Sequence, residues 1–202
     1  MSASNETTLQ AYEGNVQAYV DGTTQTVGGI VKEWLDTAIA GLSDNARILE
    51  FGSAFGRDAT YLQALGFTVE CTDATEAFVK LLQEKGFSAR KLNAITDPIE
   101  GSYDLILANA VLLHFTREET ATVLAKVLSA LVNGGTFAFT LKQGEGEHWS
   151  EEKLNAPRFF CYWTAEQISD LLTSSGYVDV QVGGGTGARD VQWLHIIAKK
   201  PE

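Results

Sequence analysis

Cysteine, proline and basic residues are all scarce in this chain. Of its 202 residues two are cysteines (Cys71 and Cys161) and three are prolines, and 15 lysines and arginines stand against 26 aspartates and glutamates, a formal net charge of −11. Two isolated cysteines build neither a disulfide framework nor a Cys-based zinc site, and their strand-like and aromatic-rich surroundings mark them as buried thiols. The acidic balance repels polyanions, whose binding relies on Lys and Arg displacing counterions, so nucleic acid is not an expected partner. No two of the three histidines stand at metal-ligand spacing with a third ligand nearby, and no metal is expected. No apolar run approaches the roughly 18 residues of a membrane span. The opening "MSASNETTLQAYEGN" lacks the basic start and apolar stretch of a secretory signal. A chain with no membrane partner and a cytoplasmic address is the expectation. Without linkers, repeats or low-complexity tracts, residues 1–202 read as one domain, with 1–42 as a helical cap.

What is present is periodicity. Val27, Ile30, Val31, Trp34, Leu35, Ala38, Ile39 and Leu42 recur along one helical face. Short apolar runs then alternate with helical segments: "ARILEF" with "RDATYLQAL", "FTVECT" with "TEAFVKLLQEKG", "YDLILAN" with a long helix, and "TFAFTLK" with another. Such alternation predicts right-handed βαβ units, hence an α/β fold with a mainly parallel sheet and helices on both faces. Thr116 with Glu119, and Thr164 with Gln167, are capping-box signatures, and "NGG" at 133–135 is expected to end the long helix. "YVDVQV" and "DVQWLHIIAKK", joined by a glycine-rich turn "GGGTG", predict a closing antiparallel hairpin.

The stretch "RILEFGSAFGRDATYL" sits at the first strand-to-helix turn, the usual cradle for ligands in open α/β sheets. Gly52 permits a tight turn and Gly56 a close helix start, whose free N–H groups attract an anionic group. A nucleoside triphosphate needs a lysine after the glycine, and Arg57-Asp58 stands there instead. A dinucleotide fingerprint needs glycine where Ala54 stands. Glu50, at the strand end, repels a pyrophosphate but suits an ammonium or sulfonium group. Asp73, ending the second strand, is placed to accept both hydroxyls of a ribose. An amino acid joined to a nucleoside meets both demands.

With these residues the sequence resembles the class I S-adenosylmethionine-dependent methyltransferases, whose nucleotide motif E/D-x-G-x-G-x-G corresponds to Glu50, Gly52, Ala54 and Gly56. Ala54 departs at the middle glycine, where the family tolerates small residues. "LNAITDP", "SYDLILANAVLLHF", "ALVNGGTFAFTLK" and "WLHIIAKK" are similar to further family segments in the same order. The resemblance narrows to a bacterial group of small methyltransferases through "ANAVLLHF", "LKQGEGEHW", "RFFCYWT" and "QWLHIIAKK". It implies a Rossmann-like class I methyltransferase fold, a seven-stranded sheet with an antiparallel C-terminal hairpin. It also implies S-adenosylmethionine as cofactor, held by Glu50, Gly52, Ser53, Ala54, Gly56, Asp73 and Ala74, with Asn93 and Ala94 at the adenine and Asn109 at the methionine part.

Methyl transfer from a sulfonium needs the nucleophile held close and water excluded, and a base only sometimes. His114, after the fourth strand, is the candidate base; packing beneath the next helix is the alternative. Residues 143–163 read as a long connection rich in glycine and then aromatics, a candidate substrate wall or core packing. Tyr19, His114, Lys142, Trp149, Arg158 and Tyr162 are the candidate substrate residues. Tyr12 and Tyr19 belong to the covering N-terminal segment. The expected activity is O-, N- or S-methylation of a small-molecule acceptor. The alternatives are a non-catalytic binder of the cofactor, a methyltransferase acting on RNA or protein, and a nicotinamide-dependent oxidoreductase, which Ala54 and Glu50 disfavour.

Overall fold

The computed structural model describes residues 2–187 and 190–202. Three helices come first, α1 (Ala3–Glu13), α2 (Val16–Asp21) and α3 (Gly29–Ile39). Then follow β1 (Ile48–Glu50), α4 (Arg57–Ala64), β2 (Val69–Asp73), α5 (Glu76–Glu84), β3 (Ala89–Lys91), β4 (Tyr103–Ala108), α6 (Arg117–Ala130) and β5 (Leu131–Lys142). The chain closes with β6 (Glu147–Ser150), β7 (Arg158–Cys161), α7 (Ala165–Ser174), β8 (Val178–Thr186) and β9 (Gln192–Lys199). Seven strands form one sheet in the order β3-β2-β1-β4-β5-β9-β8, and β6 and β7 form a separate antiparallel pair. β1 to β5 run parallel, while β9 lies antiparallel between β5 and β8. This is the Rossmann-like methyltransferase fold.

Central strands covered on both faces need apolar residues at nearly every position. β1 is buried throughout, and so is β4 apart from half-buried Asp104. On one face, Val123, Leu124 and Val127 of α6 and Ile168 and Leu172 of α7 pack on Phe137 and Phe139. On the other, Trp34, Leu35 and Ala38 of α3 join Leu62 of α4 and Leu82 of α5 over Ile48 and Leu105. Burying each such leucine or valine contributes about 1.5–3 kcal/mol. The Trp34 indole also donates to the Ile196 carbonyl at 3.1 Å, fastening α3 to β9. Both capping boxes form: Thr116 and Thr164 each accept from the third helical N–H, and Glu119 and Gln167 reach back.

Three local expectations are corrected. "NGG" does not end the long helix. α6 stops at Ala130 because Leu131 is already extended (φ −75°, ψ 145°) and buried, and β5 runs on through the glycines. A Cβ on Gly135 would sit 2.8 Å from the Val132 carbonyl and 3.2 Å from that of Tyr103, so glycine serves close strand approach there. Nor is "GGGTG" simply a turn: Gly183–Thr186 pair with β9, and a Cβ on Gly185 would meet Ile30 Cδ1 at 2.3 Å. Ala188 and Arg189 of the connection lie outside the described residues. Finally, the segment 143–163 is not an open connection but the β6–β7 hairpin, with Trp149 paired to Phe159 and His148 to Phe160. No helix among the described residues is long and apolar enough to cross a membrane.

Candidate functional site

The strand order reverses between β1 and β4, and a pocket opens beyond their carboxyl ends, the expected place for a ligand in such a sheet. Four strand ends supply its floor. Gly52 and Ala54 follow β1, Asp73, Ala74 and Thr75 close β2, Asn93 and Ala94 follow β3, and Asn109, Ala110 and Val111 follow β4. α1 and α2 form its roof through Asn5, Thr8, Tyr12 and Tyr19.

The loop after β1 is held in an uncommon conformation. Gly52 (φ 59°), Ala54 (φ 50°) and Gly56 (φ 83°) are all left-handed, which costs least at glycine. A Cβ on Gly52 would approach Val111 Cγ2 to 2.6 Å. Ala54 accepts the strain because its N–H donates to Asp73 Oδ2 at 3.1 Å. Asp73 Oδ1 accepts from the Thr75 N–H at 2.9 Å and the Thr75 hydroxyl at 2.8 Å. Burial still raises the Asp73 pKa above the usual carboxylate range, against the lowering by these bonds. One side chain therefore ties the first loop to the second, at the pocket wall.

Glu50, Ser53 and Gly56 shape this loop without lining the pocket. Ser53 donates its N–H to the Thr72 carbonyl and accepts the Thr72 N–H on its hydroxyl, and Gly56 starts α4 against the Phe87 ring. Glu50 is buried, with no hydrogen-bond partner for Oε2 among the described residues. Desolvation, and after it the Asp58 carboxylate, push its pKa up to about 8. Asp58 pairs with Arg57 at 2.6 Å and accepts from Asn109 Nδ2 at 2.7 Å, while Asn109 Oδ1 accepts from Thr140. Arg57 thus pairs with Asp58, burial and that carboxylate hold Glu50 toward its neutral form, and the Asp58 carboxylate lies behind Asn109. Asn93 lines the pocket with its Nδ2 donating to Asn5 Oδ1 at 2.9 Å and its Oδ1 accepting from the Ile95 N–H.

His114 closes the far end, in a single 3-10 turn (Leu112–His114). Its Nδ1 lies 2.6 Å from the Phe159 carbonyl, which only accepts, so the proton resides on Nδ1. Nε2 then offers a lone pair to the Tyr12 hydroxyl at 2.8 Å. Burial, with smaller contributions from Arg158 and Lys142, lowers the His114 pKa to about 3, so the ring is neutral. Arg158 donates to the same Tyr12 oxygen at 3.2 Å.

Of the expected substrate residues, Tyr19 and His114 line the pocket. Arg158 adjoins it through Tyr12, and Lys142 and Tyr162 stand one ring further out, Lys142 over Phe160 at 3.8 Å and over Tyr162 at 5.7 Å. Trp149 stands apart, 52% exposed on β6, with its ring edge-on to Phe159. The sequence reading assigned no role to Asn5, Thr8 or Asp58 and saw Tyr12 only as a cover. Both cysteines are buried and unpaired, and burial raises both thiols, Cys71 to about 12 and Cys161 to about 11. No cluster among the described residues is suited to a metal ion.

Residues 49–137 match the methyltransferase domain family. That stretch holds the glycine loop, both acidic strand ends and the strand carrying Asn109. The match covers the central part of the chain, from the second residue of β1 into β5. In fold, the chain is similar to the 1,6-didemethyltoxoflavin N1-methyltransferase of Burkholderia thailandensis, solved with 1,6-didemethyltoxoflavin and S-adenosylhomocysteine. That pair shares 21% identity at a TM-score of 0.73, over 100% of this chain and 92% of the other. It is similar too to phosphoethanolamine N-methyltransferase 2 of Haemonchus contortus, with 16% identity and a TM-score of 0.69 over 96% of this chain and 57% of that one. The [4+2]-cyclase SpnF shares the fold as well, at 16% identity and a TM-score of 0.67 over 85% and 81% of the two chains. No curated protein matches the sequence.

Proposed function

We propose that this chain is a class I S-adenosylmethionine-dependent methyltransferase that binds its cofactor in the pocket at the β1–β4 reversal and methylates a small-molecule acceptor at oxygen, nitrogen or sulfur. The observation that carries the reading is one pocket walled by Asp73, Asn93, Asn109 and His114, with the Asp58 carboxylate accepting from Asn109 behind it. Asp73 suits a ribose diol, Asn93 and Ala94 the adenine, and the Gly52–Asn109 end a cationic amino-acid tail. The unpartnered Glu50 oxygen and its raised pKa fit a site completed by positive charge. When bound, the cofactor supplies an electrophilic methyl on a sulfonium. The protein's share is to hold the acceptor under α1 and α2, exclude water and receive a proton. Tyr12 and His114 form the route: the acceptor's proton goes to the Tyr12 oxygen as the phenol proton passes to His114 Nε2.

Thermal unfolding tests the cofactor. Saturation at about 100 times the dissociation constant adds about 2.7 kcal/mol and raises the midpoint by roughly 5–10 °C for a chain of this size. S-adenosylmethionine and S-adenosylhomocysteine are expected to give that shift and NADH none; a shift with NADH alone would overturn the reading. Release of S-adenosylhomocysteine with any acceptor separates transfer from binding alone.

Glu50 carries a second prediction. Its folded pKa of about 8 exceeds the ordinary 4.5, so the folded protein binds more protons than the unfolded chain between these values. Stability of the ligand-free protein therefore falls as pH rises from about 4.5 to about 8 and is level in this respect above. Glu50→Gln is expected to remove that slope and to be more stable than the parent at pH 8.5 by about 1–3 kcal/mol in urea unfolding. An identical pH slope in the two proteins would contradict it.

A further inference from the structure

Lys142 and Arg158 are two cations beside the acceptor end of the pocket, and neither forms an ion pair among the described residues. Arg158, the first residue of β7, is only 6% exposed. Its guanidinium donates to the Tyr12 oxygen and to the Glu152 carbonyl, while its buried Nε finds no partner among the described residues. Both cations lean on one ring: Lys142 Nζ lies 3.8 Å from the Phe160 centroid and the Arg158 guanidinium carbon 5.2 Å from it. The same ring packs against His114, with centroids 4.7 Å apart. The pair thus flanks the Tyr12–His114 route.

A chain with a formal net charge of −11 has carboxylates to spare, yet among the described residues none is in ion-pair contact with either group. Aromatic faces compensate part of the lost hydration of a buried cation, but two like charges sharing a ring oppose each other, and an anion between them relieves both costs. Burial, then Arg158, lowers the Lys142 pKa, against a smaller opposing contribution from the Glu152 carboxylate, in keeping with that opposition. β5 brings Lys142 and the β6–β7 hairpin brings Arg158, so the pairing depends on the tertiary fold.

We propose that the methyl acceptor carries an oxyanion, a carboxylate or a phosphate monoester, which Lys142 and Arg158 grip so that its nucleophilic atom meets Tyr12. This rests on the methyl-transfer reading of the pocket. A bound oxyanion would also offset the positive field on His114 and so favour proton acceptance at Nε2.

The test is calorimetric titration of the S-adenosylhomocysteine-loaded protein with inorganic phosphate and, separately, sodium acetate, at constant ionic strength set by chloride. Saturable one-to-one binding of either probe, weakened at least tenfold in Lys142→Met, is the expected result. Phosphate preference assigns a phosphate monoester and acetate preference a carboxylate. Lys142→Gln serves the same comparison should the methionine variant fail to fold, and S-adenosylhomocysteine binding, expected to stay within about twofold of the parent, reports on folding. Absence of binding by both probes, or equal binding by parent and variant, overturns the proposal while leaving the cofactor reading intact. A tenfold loss of S-adenosylhomocysteine affinity in a folded Lys142 variant also overturns it, because the pair would then hold the cofactor's own carboxylate. Failure of the parent to bind S-adenosylhomocysteine overturns both readings together.

Discussion

Asp73→Ala is expected to bind S-adenosylhomocysteine roughly ten- to a hundredfold more weakly than the parent, a loss of about 1.5–3 kcal/mol. Two effects contribute. The ribose loses a charge-assisted acceptor, and the loop after β1 loses the oxygen that accepts the Ala54 N–H and stabilises its left-handed conformation. Thr75→Val is the control for both, since it removes one donor to Asp73 Oδ1 and leaves the carboxylate and its bond to Ala54 in place. That variant is expected to bind within a few-fold of the parent. Calorimetry on the three proteins decides the matter, and undiminished binding by Asp73→Ala would remove this residue from the cofactor site.

The second large effect is on turnover. With an acceptor in hand, His114→Gln and Tyr12→Phe are each expected to lower kcat by about 10²–10⁴, the usual worth of a positioned proton acceptor. S-adenosylhomocysteine affinity should change little. The two losses should not add, because the groups act as one unit through the 2.8 Å contact. The pH profile gives an independent sign. A histidine held at about 3 keeps its lone pair at every pH above that value, so activity is not expected to fall between pH 7 and pH 5 through His114. A kcat in Tyr12→Phe equal to that of the parent would exclude the route, and equal losses of stability and activity in both variants would assign them a packing role.

The elements that were legible in the sequence are those whose cause is local. Both capping boxes and the apolar stripes of α6 and α7 declare themselves within one or two turns of chain. β3 did not, because Ala89–Lys91 have no apolar run and are extended only where β2 offers its edge. The β6–β7 hairpin was hidden for the opposite reason: Arg158–Cys161 are buried at every position, so the alternation that marks a half-buried strand is missing. In the candidate site, Gly52 and Asp73, which line the pocket, were legible because each needs a particular residue type at a strand end, while Glu50 stands behind it. Asp58 was not, since an acid in the first turn of a helix is common through the helix dipole alone. Tyr12 acquires meaning only through His114 and Arg158, partners 102 and 146 residues away.

Those separations also set an order of assembly. At about 5–20 residues per second of synthesis, roughly 7–30 s pass between the appearance of Tyr12 and that of Arg158, 146 residues later. Through that interval α1 lacks the β7 groups it meets in the finished fold, including the Phe159 N–H that donates to Thr8. β1, β2 and β4 are complete well before then, so the floor of the pocket precedes its roof in time. The roof is made before the floor and is among the last parts to find its place.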